Sequence, residues 1–348
     1  MRVSKLELRS PTKRCWVTYS FNDLFIPGVI ALKKSITLSG SGFPLVCVIG
    51  PEVTEPNQHL LSNLGIELVR LTDADIVYGE GVFTDRYSGA SHLMFTKLNI
   101  FRLLDCEKVV YVDADMIWCR DPDPLWQQLS AFPFTATGLE QADFFFGGPK
   151  GAGVVIDFLL NRRGRTLDHF GLTHLPRVQA GMIYAQDDAL TQQVAEQAQH
   201  YLSRVDETHF RSRLNEGRHE ESCEWSLAMA MSRFDLPVFP WLQGHNSPQL
   251  DFIEGLAEYD TDFREVSCRY YSNTFIYNLR GLPSPRLRDA LINILTRIPG
   301  RGDYMDVTPY VLHFGWLNHK QPFYDFAQRT WTRLLREQRT VPAAPTNG

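Results

Sequence analysis

The sequence predicts an α/β protein with a mostly parallel central sheet. Short apolar runs typical of strands alternate with stretches whose apolar residues recur at helical spacing. Strands that alternate with helices imply right-handed crossovers and a parallel sheet. The 348 residues suffice for one large core, and we find no internal repeat or low-complexity linker. A single elaborated domain is therefore the prediction.

The first third of the chain carries the clearest alternation. Its predicted strands are short and apolar, and its predicted helices repeat apolar residues every three or four positions. The predicted strands cover residues 15–19, 45–49 and 66–71, followed by a strand that ends at Asp113. The predicted helices cover residues 28–39, 56–64 and 91–104.

Further elements follow the first third of the chain, and the pattern loosens after residue 231. We predict a strand at 178–184, helices at 187–198, 221–231, 283–297 and 323–339, and a short strand at 310–314. The last of these helices has an apolar stripe and a basic face. Residues 341–348 are predicted to be a disordered tail. The resulting division is a main domain at 1–323, a basic amphipathic helix at 324–340 and the tail.

Composition narrows the class of protein. The net charge of −5 argues against a general nucleic-acid binder, which would need clustered Lys and Arg. The six cysteines form no CxxC pair, and no segment resembles a signal peptide or reaches transmembrane length. We therefore expect a cytoplasmic protein from a reducing compartment, without a transmembrane segment.

A pair of carboxylates follows the apolar run at 109–112. Asp113 and Asp115 are separated only by Ala114, at the end of a strand where open α/β sheets bind ligands. Two such carboxylates can hold a divalent cation that serves a phosphate-bearing ligand. A second Asp-Ala-Asp occurs at 73–75, but its strand mixes charged with apolar residues, as an edge strand does. The pair at 113–115 is favoured because its strand is apolar throughout, as in a central strand.

Four segments resemble the family 8 glycosyltransferases, the group that contains glycogenin and bacterial lipooligosaccharide galactosyltransferases. FTKLNIFRLLDCEKVVYVDADMIWCRDPDPLW at 95–126 is similar to the core of that family. WVTYSFNDLFIPG at 16–28, FIYNLRGLP at 275–283 and YVLHFGWLNHKQPF at 310–323 resemble its first strand and two late motifs. The resemblance implies a GT-A fold and transfer of a hexose from a nucleotide sugar, usually UDP-linked, with retention of anomeric configuration.

The resemblance also implies a donor site. Asp113 and Asp115 would bind Mn²⁺ (or Mg²⁺), with His313 as third ligand; two carboxylates and an imidazole suit Mn²⁺ better. Gly315 and Lys320 would contact the diphosphate. Both lie one position out of register with the family's motif, and His319, which has the spacing of the family's lysine, competes with Lys320.

Further residues take binding roles from the same resemblance. Tyr19, Ser20 and Asn22, with Asp23 beside them, fall where the family binds uridine. Lys97 and Arg102, on the helix before the metal strand, could reach the sugar or phosphate, or could be solvated surface charges.

On the acceptor side, three residues are candidates for catalysis. Gln179 falls in a segment matched to the family's Asn-Ser-Gly. Glu221 and Glu224 fall where glycogenin-like members carry acidic residues, and at a spacing of three they share one helix face. An ordinary charged helix start is the alternative for the two glutamates. No motif identifies the acceptor; glycan, protein, lipid-linked glycan, small polyol and modified nucleic acid remain open.

Two other functions compete. A Mg²⁺-dependent phosphohydrolase of the haloacid-dehalogenase type also has DxD after an apolar strand, and Asp187 and Asp188 could be its later acidic pair. A nucleotide-sugar-binding protein without turnover is the second alternative.

The basic helix at 323–339 could make a peripheral membrane contact. A solvated basic face over a buried Trp331 stripe is the alternative interpretation of the same pattern.

Overall fold

The computed structural model describes residues 13–72, 74–75, 97–104, 106–138, 160–176, 178–186, 188–209, 222–239, 249–252, 254–271, 284–297, 304–314 and 321–340. The strands are β1 Arg14–Asn22, β2 Leu45–Glu52, β3 Glu67–Arg70, β4 Lys108–Val112, β5 Met116–Trp118, β6 Phe134–Gly138, β7 Val178–Ala185, β8 Gln249–Asp251, β9 Ala257–Tyr259, β10 Val266–Tyr271, β11 Tyr304–Val307 and β12 Val311–His313.

The α-helices are α1 Ile26–Ser39, α2 Glu55–Asn63, α3 Asp123–Leu129, α4 Arg162–Phe170, α5 Asp188–Ser203, α6 Ser222–Arg233, α7 Pro285–Thr296 and α8 Gln321–Thr340. Short 3₁₀ helices cover Asp23–Phe25, Lys97–Leu103 and Val205–Glu207. The predicted helix at 91–104 is thus a 3₁₀ helix in its described part. The predicted tail at 341–348 lies outside the described residues.

The main sheet has six strands in the order β3-β2-β1-β4-β7-β6. Strands β3, β2, β1 and β4 run parallel to one another, whereas β7 runs antiparallel to both of its neighbours, β4 and β6. The α/β prediction with a mostly parallel central sheet is therefore confirmed. The antiparallel direction of β7 was not predicted, because the apolar pattern of a buried strand does not encode its direction.

Both faces of this sheet are covered. One face packs on α1, α2 and α3 around Trp16, and the other packs on α5, α6 and the 3₁₀ helix at Lys97–Leu103. Helix α1 has a proline in its first turn and is capped after Ser39 by Gly40, whose φ of 90° is the left-handed conformation that glycine tolerates. With helices on both faces, the strand ends remain as the place for a ligand.

The position of β4 explains why its carboxylates were favoured. Strand β4 lies inside the sheet between β1 and β7, and Val109–Val112 are all buried. Strand β3 is one of the two edge strands, and its residues are exposed or half-buried. The inference that 109–112 is a central strand and 67–71 an edge strand is confirmed.

Two three-stranded sheets accompany the main one. Their orders are β5-β12-β8 and β11-β10-β9. The first joins β5, which follows the Asp113–Asp115 segment directly, to β12 near the C-terminus. The second packs with α7 and α8 around a cluster of aromatic side chains that includes Phe252, Phe263 and Phe314.

Helix α8 confirms the predicted helix at 323–339 and packs along α1. Its Trp331 is half-buried against the core beside α1. On its polar face Arg329 donates to the carbonyl oxygen of Thr261, and Arg333 pairs with Glu337. Among the described helices, none combines the length and the apolar character needed to cross a membrane.

A disulfide bond joins Cys15, at the start of β1, to Cys106, just before β4. This pairing was not predicted, because the two cysteines are 91 residues apart in the chain and are brought together by the β1–β4 ladder. Cys47, Cys119 and Cys268 are free and buried. Because disulfides are rare in cytosolic proteins, this bond counts against the expected reducing compartment.

Candidate metal and nucleotide-sugar site

The Asp113–Asp115 segment is held from both sides where β4 ends. The backbone N–H of Asp113 donates to the carbonyl oxygen of Gly181 on β7 at 2.9 Å, extending the β4–β7 ladder by one residue. On the other side, a Cβ atom built on Gly28 of α1 would lie 2.8 Å from the carbonyl oxygen of Ala114. The first turn of α1 therefore packs directly on the segment, and only glycine fits there without a shift.

His313 reaches this segment through a short antiparallel ladder. Strand β12 pairs with β5 so that His313 lies opposite Met116, the residue after Asp115. The backbone N–H of Phe314 donates to the carbonyl oxygen of Asp115 at 3.0 Å. As a result, the imidazole Nε2 of His313 lies 3.7 Å from Oδ1 of Asp115.

The three side chains form a group that fits a divalent cation. Asp113, Asp115 and His313 each offer one ligand atom, and these atoms lie within 4.8 Å of one another. The imidazole is 9% exposed, and the Asp115 carboxylate is 26% exposed. Two carboxylates supply the negative charge that a cation needs, and their partial exposure leaves a side open to a ligand.

Two further side chains contact the first carboxylate. The Lys97 ammonium donates to Oδ1 of Asp113 at 2.8 Å, and the Tyr111 hydroxyl donates to the same oxygen at 2.7 Å. The Lys97 Nζ also lies 4.6 Å from the centroid of the Tyr111 ring. Lys97 is buried, so the structure places it inside the site and not on the solvated helix surface.

The family is decided by a match over more than half of the chain. The sequence profile described as glycosyl transferase family 8 matches residues 16–215, which include Asp113 and Asp115. The chain belongs to glycosyl transferase family 8. The predicted resemblance is thereby confirmed.

Individual relatives match shorter stretches. A glycogenin from Neurospora crassa is 30% identical over 118 residues, covering 32% of this chain and 16% of the relative. Galactinol synthase 7 from Arabidopsis thaliana is 29% identical over 114 residues, covering 31% of this chain and 32% of the relative. This family 8 chain thus aligns with less than a third of the length of either relative.

A solved structure of the galactosyltransferase LgtC, in complex with donor and acceptor sugar analogues, is also similar. It is 14% identical, with 94% of this chain and 97% of the LgtC chain covered, at a TM-score of 0.49.

The residues predicted to bind uridine lie at the end of β1 in this family 8 chain. Ser20 is fully buried, and its hydroxyl donates to the carbonyl oxygen of Asn22 at 3.0 Å. Tyr19 is 7% exposed. The Asn22 side chain accepts from the backbone N–H of Leu24 and so caps the following 3₁₀ helix. These groups shape the turn after β1, and Asn22 remains half-buried beside it.

Asp23 has a structural partner. Its Oδ1 accepts from the backbone N–H of Thr54 at 3.0 Å, which ties the turn after β1 to the start of α2. Burial raises the pKa of Asp23, but hydrogen bonds from Asn57 and Thr54 outweigh burial and hold its pKa below the usual value. The carboxylate therefore stays ionised and keeps the turn in place.

The predicted acceptor-side residues are described in part. Gln179 lies on β7 two residues before Gly181, opposite Thr137 of β6, so its backbone is close to the Asp113–Asp115 segment. Glu224 lies half-buried in the first turn of α6. Arg102 lies in the 3₁₀ helix at Lys97–Leu103. Side chains of Gln179 and Arg102, and all of Glu221, Gly315, His319 and Lys320, lie outside the described residues.

One residue at the site was missed by sequence reasoning. Tyr111 was counted as an apolar strand residue, although its position two before Asp113 places both side chains on one face of the strand. Outside the metal group, the aromatic residue Phe25 in the turn before α1 was also overlooked, and it is 40% exposed.

The second Asp-Ala-Asp has a different role in its described part. The Asp75 carboxylate accepts from both the backbone N–H and the hydroxyl of Thr72, at 2.8 and 2.6 Å. It thus closes the turn after the edge strand β3. Asp73 lies outside the described residues.

Proposed function

We propose that this chain is a metal-dependent glycosyltransferase. It would move a hexose from a UDP-linked nucleotide sugar to an acceptor with retention of anomeric configuration. The observation that carries the proposal is the Asp113, Asp115 and His313 group at the end of a central strand. Membership of glycosyl transferase family 8 supports it.

The metal ligands define what the site would do. Asp113, Asp115 and His313 would hold a divalent cation, which would supply positive charge to stabilise the negative charge that develops on the leaving nucleotide. Asp113 and Asp115 supply charge for this binding, and His313 adds a nitrogen ligand, which favours Mn²⁺ over Mg²⁺. The Lys97 ammonium, 2.8 Å from Asp113, adds a positive charge close to where the phosphates would lie.

The sugar and the acceptor would lie beside the Asp113–Asp115 segment. We assign sugar binding to Gln179 because β7 carries it toward the Asp113–Asp115 segment. Glu224 and Glu221 remain proposed as groups that bind sugar hydroxyls or stabilise positive charge at the anomeric carbon. Gly315 and Lys320 remain proposed as phosphate contacts. Retention would follow from attack on the face of the sugar that the nucleotide leaves.

Phe25 is proposed as the stacking surface for the nucleotide base. Its ring is 40% exposed, and the turn that carries it leads into α1, whose Gly28 contacts the metal segment. Stacking of a base on an aromatic ring contributes about 1–3 kcal/mol. We therefore expect Phe25→Ala to weaken binding of UDP in the presence of Mn²⁺ by about 1–3 kcal/mol, measured by calorimetry.

The adjacent Leu24 is a matched control for that substitution. It is 82% exposed in the same turn and has no aromatic ring. Leu24→Ala should bind UDP as the unmodified protein does. Equal losses in the two variants, or no loss in Phe25→Ala, would contradict the assignment.

The reaction itself is tested by product release. With Mn²⁺ and UDP-glucose or UDP-galactose, we expect slow release of UDP by hydrolysis, accelerated by a suitable acceptor and abolished by EDTA. GDP-sugars serve as the control for the nucleotide. Phosphate release from a phosphomonoester would favour the phosphohydrolase, which the family match disfavours. If the protein binds UDP-hexoses tightly but transfers no sugar to any acceptor tested, the alternative of a nucleotide-sugar-binding protein without turnover is favoured.

The cellular location bears on the disulfide. The cysteine pattern predicts a cytoplasmic protein, whereas the Cys15–Cys106 disulfide is a bond that is rare in cytosolic proteins.

A peripheral membrane contact through the basic face of α8 is supported by its exposed arginines. The half-buried Trp331 and the Arg333–Glu337 pair support the solvated alternative.

A further inference from the structure

The hydroxyl of Tyr111 is placed to control the geometry of the first metal ligand. Tyr111 lies on β4, paired with Val17 of β1 and Ile183 of β7, and its side chain is 3% exposed. Residues two apart on a strand share a face, so the Tyr111 side chain lies beside that of Asp113. Its hydroxyl donates to Oδ1 of Asp113 at 2.7 Å.

A second donor reaches the same oxygen. The Lys97 ammonium donates to Oδ1 of Asp113 at 2.8 Å and lies over the Tyr111 ring. A carboxylate oxygen has about two lone-pair sites, so two donors fill Oδ1. The other oxygen, Oδ2, is then the one left for a cation.

We propose that Tyr111 is a positioning residue, which fixes the Asp113 carboxylate so that it binds the metal through Oδ2 alone. The proposal rests on the metal role proposed above for Asp113. The two donors differ in what they contribute. Lys97 carries a positive charge, which repels a nearby cation, whereas the Tyr111 hydroxyl is neutral and orients the carboxylate without that penalty.

The rigidity of the surroundings supports this role for Tyr111. Its strand is hydrogen-bonded on both sides, and its ring packs near Phe101 with 6.4 Å between ring centroids. A hydroxyl fixed in this way restrains the carboxylate before a metal arrives. Loss of such an outer hydrogen-bond partner typically lowers metal affinity by about 10–100-fold.

The test is the affinity for Mn²⁺ alone, measured from the electron paramagnetic resonance signal of the free ion. Tyr111→Phe keeps the ring and its contact with Lys97 and removes only the hydroxyl. We expect its affinity for Mn²⁺ to fall about 10-fold. The spectrum of the bound ion should also change, because the freed carboxylate can bind through either or both oxygens.

Tyr184→Phe is the matched control. Tyr184 is also a buried tyrosine of the same sheet, and its hydroxyl donates to a side-chain oxygen of Gln186 at 3.1 Å. This variant should keep both the Mn²⁺ affinity and the bound spectrum. Thermal unfolding of both metal-free variants checks that each is folded.

The possible outcomes separate this inference from the proposed function. If the unmodified protein binds Mn²⁺ and Tyr111→Phe binds it equally well with the same spectrum, the role of Tyr111 is overturned and the metal site stands. If the unmodified protein does not bind Mn²⁺, both the role of Tyr111 and the metal site are overturned.

A crystal structure of the unmodified protein with Mn²⁺ gives a check that needs no variant. Ligation through Oδ2 with Tyr111 still on Oδ1 supports the inference, and ligation through Oδ1 overturns it.

Discussion

Asp115→Ala is expected to abolish metal-dependent binding of the nucleotide-sugar donor. Asp115 is one of the three ligand-bearing residues, and its Oδ1 lies 3.7 Å from the imidazole of His313. Its removal takes away a charge that the remaining carboxylate cannot replace. The loss of Mn²⁺ affinity should exceed the roughly 10–100-fold that loss of an outer partner causes. Calorimetric titration with Mn²⁺, followed by UDP-glucose, measures both steps.

Asp75→Ala provides the control for that experiment, because Asp75 belongs to the other Asp-Ala-Asp. Its carboxylate closes a turn with Thr72 next to an edge strand. We expect donor binding to stay nearly intact, with at most a modest loss of stability. If Asp75→Ala abolished binding and Asp115→Ala did not, the metal would have been assigned to the wrong segment.

Gly28→Ala is expected to lower both the stability of the fold and the affinity for the metal. The added methyl group would lie 2.8 Å from the carbonyl oxygen of Ala114, so either α1 or the Asp113–Asp115 segment must shift. Such overpacking costs about 1–3 kcal/mol. In a helix without such a contact, Gly→Ala is favourable by up to about 1 kcal/mol. A net loss of stability would therefore show that residue 28 packs against Ala114 as described.

Gly42→Ala controls for the effect of a new methyl group. A Cβ atom on Gly42 would have its nearest neighbour at 3.7 Å, an ordinary contact with the Asp123 carboxylate. Denaturant unfolding and Mn²⁺ titration should leave this variant unchanged. A Gly28→Ala protein that is more stable than the original, with normal Mn²⁺ affinity, would show that the segment tolerates the shift at no cost.

The fold could be predicted where local pattern determines it. The apolar runs that became β1, β2 and β4 and the periodic stretches that became α1, α5 and α8 were recognised, since burial of one face or of a whole strand leaves a direct mark on sequence. Helices α3 and α4 were missed. Helix α3 has only 7 residues, which is too short to show a clear period. Helix α4 has the sequence RRGRTLDHF, in which only Leu167 and Phe170 are large apolar residues, too few to form a recognisable stripe.

Only the part of the candidate site that is contiguous in the sequence could be predicted from local pattern. Asp113 and Asp115 are adjacent to a recognisable strand, but the placement of His313 depends on a three-residue ladder between β5 and β12. Pairing between such distant short strands has no local signal, and only the resemblance to the family brought His313 forward. The contact of Lys97 and Tyr111 with one oxygen of Asp113 depends on side-chain geometry, which spacing alone cannot give.

The β5–β12 ladder also links the metal to the folding equilibrium. Asp113 and Asp115 come from the first half of the chain and His313 from the second, so the complete ligand set exists only when both halves are folded together. Any ligand that binds the native state alone stabilises it, by about 2.7 kcal/mol at a concentration one hundred times its dissociation constant. A divalent cation bound at this group would therefore slow proteolysis of the chain even when no sugar donor is present.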